Sequence, residues 1–229
     1  MMSDRPTLRI FSTLAVQGAL PVLLERSGIL GAVEYAPTVA TQERLRGGAT
    51  GDVAILTRAG VDGLTADGIL RPGGVDIAGS LVGIAVRPGT PLPTLDTEAD
   101  LRVALLAARC VCYSRIGASG LFFAALLDRM GIADAVNAKA RIIHSGFTAE
   151  AVRDGDADMA IQQISELMVV PGITIAGPLP AILQTPTMFT AAMMTGCTEP
   201  EAASQLIACL ASPDAEPAFA AAGLLPPRG

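Results

Sequence analysis

The sequence predicts an α/β protein of two lobes with a ligand cleft between them. Three observations predict it. Apolar runs of strand length alternate with helical patterns along the chain, which is the signature of a parallel α/β sheet. Hydroxyl and Gly/Ser residues recur where strands give way to helices, at the sheet end where such folds bind ligands. The chain also crosses between two α/β halves, an arrangement that closes on a ligand.

The first strand is read at Leu8 to Phe11, followed by Ser12 or Thr13 as N-cap of a helical pattern through Leu14, Leu20, Leu23 and Leu24, closed by Ser27-Gly28. Pro21 either kinks this helix or marks where its regular part begins. A strand around Ala32 to Tyr35 runs into Pro37 to Thr41, a helix spans Gln42 to Arg46, a third strand Asp52 to Thr57, and a third helix Arg58 to Asp67. Ser80 to Val86 reads as one longer strand, and the Pro-rich turn Arg87 to Pro93 after it marks a lobe boundary. Thr97 and Asp100 have capping-box spacing and open a helix that Leu101 to Ala108 continues.

Further strands fall at Val111 to Tyr113, Arg141 to Ile143, Asp158 to Gln162 and within Pro171 to Pro180, with helices at Leu121 to Met130 and Ala149 to Arg153. The tail from Thr187 is apolar and rich in Ala and Met. Glu199-Pro200-Glu201 opens a helix, Ser212-Pro213 a last short one, and Leu224 to Gly229 is a loose end.

Composition narrows the function. Half of the 229 residues are apolar and few are charged, which argues for a compact core. There is no Trp, there are two Tyr, the net charge is −6 and no run of Lys or Arg occurs, so a nucleic acid is not the expected partner. No apolar run is long enough to span a bilayer. The residues before Leu8 carry no basic, apolar and cleavage regions in series, so the expectation is a cytoplasmic protein, or a periplasmic one if a leader has been removed. In a reducing compartment Cys110, Cys112, Cys197 and Cys209 are small apolar residues, and no metal spacing joins them. Met188, Met193 and Met194 read as core filling. No P-loop, dinucleotide fingerprint or Ser-His-Asp order is present, and no cofactor is expected.

The densest stretch is Cys110 to Leu127, in which a strand, the turn Gly117-Ala118-Ser119-Gly120 and a helix start follow one another. Backbone N–H groups at a helix start have no partner and carry partial positive charge, so a Gly/Ser turn that lets a ligand approach them suits an anion. Arg115 beside it offers a bidentate partner for a carboxylate. His144 is the one histidine of the chain, at a strand end, and an imidazole titrates in the range a general base needs. Ser114, Tyr113 or a carboxylate not singled out are the alternatives for that role.

Four stretches in order then resemble a known family: Arg9-Ile10-Phe11-Ser12-Thr13-Leu14, Asp52 to Leu56, Tyr113 to Gly120, and Ala160 to Leu167. They are similar to the molybdate-binding-protein branch of the type II periplasmic solute-binding proteins, which aconitate isomerase also resembles. The resemblance implies two α/β lobes joined by two hinge crossings, residues 1–80 with 186–229 in one and 81–185 in the other. It implies ligand contacts from Ser12, from Thr38 or Thr41, from the turn at Ala118-Ser119 and from Gln163, to which the strand ends and the helix start add Thr13, Ser114, Arg115 and Gly120. Gln163 stands where molybdate binders carry Tyr, and His144 where they often carry Gly or Pro; both departures point away from molybdate itself.

The residues and the resemblance together imply capture of a small anion, an organic acid or an oxyanion, with no inserted membrane segment. Two functions follow. One is a cofactor-independent isomerase that shifts a proton and a double bond in an unsaturated di- or tricarboxylate, with His144 as the base. The alternative is a solute-binding protein for molybdate or a related anion that delivers to an ABC permease.

Overall fold

The structure, a computed structural model, describes residues 6–227. Residues 1–5, on which the expectation about a leader was based, and the final residues 228–229 of the expected loose end lie outside them. Contacts divide the chain into two units, one built from residues up to Gly79 and from Thr187 onward, the other from Ser80–Pro186.

The first unit opens with β1 (Thr7–Ser12), a 3-10 turn at Leu14–Val16 and α1 (Leu20–Ser27). Thr13 rather than Ser12 is the cap of that turn. Pro21 sits in the first turn of α1, where its missing N–H costs nothing, so it starts the regular helix instead of kinking one. Next come β2 (Leu30–Tyr35), α2 (Thr38–Arg46), β3 (Val53–Thr57), α3 (Arg58–Ala66) and β4 (Val75–Ser80). α2 starts four residues earlier than Gln42: Pro37 takes the N-cap position, and burial of Thr38 and Thr41 outweighs the poor helix propensity of Thr-Val-Ala-Thr.

The second unit contains β5 (Val82–Val86), α4 (Glu98–Ala107), β6 (Val111–Ser114), α5 (Ala118–Arg129), α6 (Ala133–Asn137), β7 (Ala140–Ile143), α7 (Thr148–Arg153), β8 (Met159–Gln163), α8 (Ile164–Leu167) and β9 (Thr174–Pro178). α4 begins with the capping box read from its spacing: the Thr97 hydroxyl accepts the Asp100 N–H at 3.2 Å, and the Asp100 carboxylate accepts the Thr97 N–H at 3.0 Å. The chain then returns to the first unit with β10 (Thr187–Met193), α9 (Pro200–Leu210) and α10 (Glu216–Ala221).

Each unit holds one five-stranded sheet, with orders β2-β1-β3-β10-β4 and β7-β6-β8-β5-β9. The sheets are mixed rather than wholly parallel. β1, β2 and β3 run parallel, as do β6, β7 and β8, but β10 is antiparallel to β3 and β5 is antiparallel to both β8 and β9.

Several sequence expectations fail for reasons of tertiary packing. The single strand read at Ser80 to Val86 is two strands that break at Leu81 and belong to different sheets. The Pro-rich turn 87–93 lies inside the second unit, joining β5 to α4, and is no boundary. The Ala- and Met-rich tail is β10, an interior strand whose Phe189, Ala191 and Ala192 are buried; its small residues fit between flanking layers, a matter of burial that β-propensity does not reveal. The short helices α6 and α8 were not expected, since neither is long enough to show a period. The expected loose end is tied down, with Leu224 buried and Leu225 exchanging backbone hydrogen bonds with Gly79 at 2.7 and 2.8 Å.

Each sheet separates two apolar layers. In the first unit Leu8, Ile10, Val53 and Ile55 face α1, α9 and α10, while Phe11, Ala54 and Leu56 face α3 and Met194. In the second, Val111, Tyr113 and Ile161 pack with α4 and α5, and Ala85, Cys112 and Ala160 with α7 and Leu167. Each fully buried Leu, Ile or Phe contributes about 1.5–3 kcal/mol, so these layers hold the strand ends in place.

Candidate functional site

In the first unit the register brings the expected hydroxyls to one edge. Ser12 pairs with Tyr35 of β2 and Ile55 of β3, so β1 and β2 end together and β3 runs two residues further, to Thr57. Ser12 is fully buried and its hydroxyl donates to the Thr13 carbonyl at 3.1 Å. The Thr13 hydroxyl accepts the Ala15 N–H at 3.4 Å, and its own N–H donates to Ile55 O at 2.9 Å.

Thr38 and Thr41 both lie in the first turns of α2, which no side chain caps. Thr41 turns its hydroxyl back to the Ala36 carbonyl at 3.5 Å. Thr38 approaches the start of α3: a Cβ added to Gly60 would meet both its methyl group and the Thr57 hydroxyl at 3.1 Å. Thr57 caps α3 through the Gly60 N–H at 3.2 Å. Of the alternatives Thr38 and Thr41, Thr38 is therefore the one set beside a further hydroxyl.

The phenol of Tyr35, next to Ser12 across the strand pair, was not singled out in the sequence. Its oxygen is buried with no hydrogen-bond partner among the described residues, and burial pushes its pKa up to about 12, so it remains a neutral donor.

In the second unit Ser114 pairs with Ile143, which makes Arg115 and His144 the first residues beyond the ends of adjacent parallel strands. Both side chains are exposed. The Arg115 guanidinium donates to the Tyr113 hydroxyl at 3.2 and 3.3 Å and lies 5.9 Å from the ring centre. It forms no ion pair among the described residues.

Tyr113 itself is fully buried, donates to Asn137 and packs edge-on against Phe123. That corrects its expected candidacy as a base, because a buried phenol committed to a partner cannot meet a substrate. Ser114 holds the turn, its hydroxyl accepting the Ile116 and Gly117 N–H groups at 3.2 and 3.4 Å.

Those bonds present α5. Gly117 occupies its N-cap in extended geometry with no side-chain cap, which leaves the first N–H groups of Ala118, Ser119 and Gly120 to other partners. Gly120 is demanded by close approach: a Cβ there would lie 1.6 Å from the Ser114 carbonyl oxygen.

Gln162 and Gln163 end β8 and, as neighbours on a strand, face opposite ways. Gln163 is buried in the N-cap position of α8. Gln162 is a clamp on α7: its carbonyl oxygen accepts the Thr148 N–H at 2.8 Å and the Thr148 hydroxyl at 3.0 Å, and its NH2 donates to the Gly146 carbonyl at 3.4 Å. Gly146 has φ of 77°, a conformation L side chains rarely adopt, so the turn that carries His144 is pinned in a glycine-dependent shape.

Glu166 was missed. It lies in the only turn of α8, 8% exposed, with hydrogen bonds from the Gln162 side chain and the Gln163 backbone. Burial pushes its carboxyl up to about 7 in spite of those bonds, which pull it down. The sequence did hold a signal, since Glu166 stands three residues after Gln163, the spacing of a carboxylate that reaches back to an N-cap.

Two open cavities of about 350 and 290 Å³ also occur in the first unit, one lined by Pro6, Ser27 to Leu30, Ala202 and Gln205, the other by Arg71 to Gly73, Val75, Met193, Ser204 and Ile207. Pro6 and Leu30 stand at the amino ends of β1 and β2, and Met193 pairs with Val53 at the start of β3, so both cavities lie away from the hydroxyl edge. Among the described residues no group of three or more His, Cys, Asp or Glu side chains is placed to hold a metal, and no helix is long and apolar enough to cross a membrane. Met194 fills core beside Phe11.

Residues 21–225 match the family model described as bacterial extracellular solute-binding protein. Aconitate isomerase from a Pseudomonas species is 32% identical over 231 residues, covering 96% of this chain and 88% of that protein. Among solved structures, the periplasmic molybdate-binding protein of Azotobacter vinelandii aligns with a TM-score of 0.80 at 19% identity, covering 96% of this chain and all of that one. The tungstate-binding protein of Desulfovibrio alaskensis aligns with a TM-score of 0.67 at 14% identity, covering 98% and 100%. At these identities the solved structures bear on the fold, and they share the two-lobed α/β architecture. The chain belongs to the bacterial extracellular solute-binding protein family.

Proposed function

We propose that the chain binds a small unsaturated di- or tricarboxylate and moves its double bond without a cofactor. The observation that carries this reading is the Ser114 to Ile143 register, which makes Arg115 and His144 the first residues beyond two adjacent strand ends, exposed and with no ion pair of their own among the described residues. A tetrahedral oxyanion can be held by neutral donors alone, whereas a ligand with several carboxylates gains from a guanidinium beside it. The 32% identity to an aconitate isomerase over nearly the whole chain supports the same substrate class.

In this reading Ser119, Gly120 and Gln163 of the second unit donate hydrogen bonds to ligand oxygens, and Ser12, Thr13 and Thr38 form the hydroxyl edge of the first unit. Thr41 and Ser114 hold the turns behind them, and Ala118 opens α5. Arg115 engages one carboxylate. His144 takes a proton from the methylene next to the alkene, and the charge that develops spreads into a carboxylate held by helix-start N–H groups. Nothing in this chemistry requires a particular side of the cytoplasmic membrane.

A second reading has its own support in the family description and in the neighbours named for molybdate and tungstate. In it the chain is an extracytoplasmic receptor that hands an anion to an ABC permease. A thermal-shift panel separates the two readings, with molybdate, tungstate and sulfate set against citrate, cis-aconitate and trans-aconitate. A ligand at a hundred times its dissociation constant adds about 2.7 kcal/mol of stability. Stabilisation by aconitate, followed by its isomerisation in NMR spectra, is the expected result; stabilisation by the oxyanions alone overturns it in favour of the receptor.

A further inference from the structure

We infer that the cavity of about 290 Å³ beside α9 is a second binding site, for a small carboxylate with an apolar body, and that Arg71 is its anion partner. It is separate from the hydroxyl edge and does not rest on the isomerase reading.

Four observations lead to it. The first is the wall. Val75, Met193 and Ile207 supply its apolar part, and Arg71 and Ser204 its polar part. Successive residues of a strand face opposite ways, so Val75 turns into the cavity while Asp76 turns away from it, to Thr190 and Arg58. Val75 is 38% exposed and Met193 and Ile207 are half-buried, so each keeps apolar surface for an occupant to cover.

The second is the charge. Arg71 is exposed, and its side chain forms no ion pair or hydrogen bond among the described residues. The carboxylates on neighbouring segments are engaged elsewhere. Asp52 accepts the Arg9 and Thr198 N–H groups at 2.8 and 3.1 Å, and Asp76 accepts the Thr190 hydroxyl and pairs with Arg58, both at 2.6 Å. The Arg71 guanidinium is therefore available to a carboxylate, whose two oxygens match its planar fork.

The third is rigidity. The Arg71 N–H donates to the Met193 carbonyl at 2.8 Å, Leu70 pairs with Met194, and the Thr195 N–H donates to the Ile69 carbonyl at 2.9 Å. The loop that carries Arg71 is thus stitched to the end of β10, and binding needs little further ordering.

The fourth is size. The volume lies just below the roughly 300–1,000 Å³ of small-molecule pockets, which suits a small acid rather than a nucleotide. The other open cavity, of about 350 Å³, has no charged side chain in its wall.

Placement gives the site its consequence. Val75 opens β4 and Met193 closes β10, and the far ends of those strands, Ser80 and Thr187, are where the chain leaves the first unit and returns to it. An occupant therefore touches both strands that carry the crossings, at their ends away from the hydroxyl edge.

The test uses the full chain with isotope-labelled methionine methyls, the Met193 signal being identified by its loss in Met193→Leu. The chain is titrated with benzoate, with benzyl alcohol, which has the ring without the charge, and with inorganic phosphate, which has charge without the ring. The expected result is a saturable movement of the Met193 methyl in millimolar benzoate, with benzyl alcohol and phosphate binding more weakly by roughly tenfold or more. Arg71→Gln weakens benzoate by the same factor, and so does Ser204→Glu, which sets a carboxylate against the ligand. Both positions are exposed, so these variants melt near the wild-type temperature. Arg115→Ala leaves the titration unchanged, which separates this site from the strand ends of the second unit. No saturable movement of Met193, or a movement lost in Arg115→Ala, overturns the site. Equal affinity for benzoate and benzyl alcohol, or equal benzoate affinity in wild type and Arg71→Gln, overturns the carboxylate assignment.

Discussion

Gly120→Ala tests how tightly the α5 turn is built. An added Cβ would lie 1.6 Å from the Ser114 carbonyl oxygen and 2.5 Å from its carbon, whereas real Cβ contacts essentially never fall below 3.0 Å. The helix start must then retreat from β6 by roughly 1.4 Å. That retreat strains the packing of Phe123, Leu126 and Leu127, each no more than 1% exposed. Overpacking against backbone that cannot yield costs about 3 kcal/mol or more. For a chain of this size the loss corresponds to a fall of roughly 6–12 °C in melting temperature.

Gly117→Ala is the internal control. Its backbone is extended at φ −90° and the nearest atom to an added Cβ is the Ser114 hydroxyl oxygen at 3.9 Å, so the expected change is within about 0.5 kcal/mol. Thermal melts followed by circular dichroism read both variants. A Gly120→Ala melt within about 2 °C of wild type, or equal losses at the two positions, would refute the account of the turn.

Three further outcomes are expected. Glu166→Gln is more stable than wild type at pH 8 and equal to it near pH 4.5. The raised carboxyl pKa means that ionisation removes about 3 kcal/mol of stability as pH climbs from the unfolded value toward 7 and beyond, and melts at several pH values check it. Asp52→Asn loses about 1–3 kcal/mol at pH 7, because burial raises that carboxyl while the Arg9 and Thr198 N–H groups, at 2.8 and 3.1 Å, outweigh it and hold it low; the difference closes as pH falls below about 4, where both forms are uncharged. Arg115→Ala weakens aconitate binding by about 10- to 150-fold in calorimetry, the value of a charged hydrogen-bonded contact, while its melting temperature stays near that of wild type because the side chain is exposed and the Tyr113 hydroxyl it bonds keeps Asn137 as a partner.

Much of this molecule follows from local sequence. The strand at Leu8 to Phe11, the capping box at Thr97 and Asp100, the helix that opens at Pro200 and the Gly/Ser turn before α5 are all set by near-neighbour chemistry, and each shows in the residues themselves. Ser12 and Thr38 could be named as candidates because strand ends in α/β proteins are where hydroxyls meet ligands, Ser119 because a helix start offers free N–H groups, and Gln163 from the family resemblance.

What the tertiary structure decided is the work of partners distant in sequence. β10 is a strand because its small residues are enclosed by β3 and β4, and no local preference of Ala-Ala-Met predicts that. Tyr113 fell from candidate base to core because Asn137, twenty-four residues away, takes its hydroxyl. Glu166 rose from an ordinary helix-start glutamate to a carboxyl that titrates near neutrality because three strands without charge close around it. A residue type sets what a side chain can do; its pKa and partners depend on burial, and burial is a property of the assembled fold.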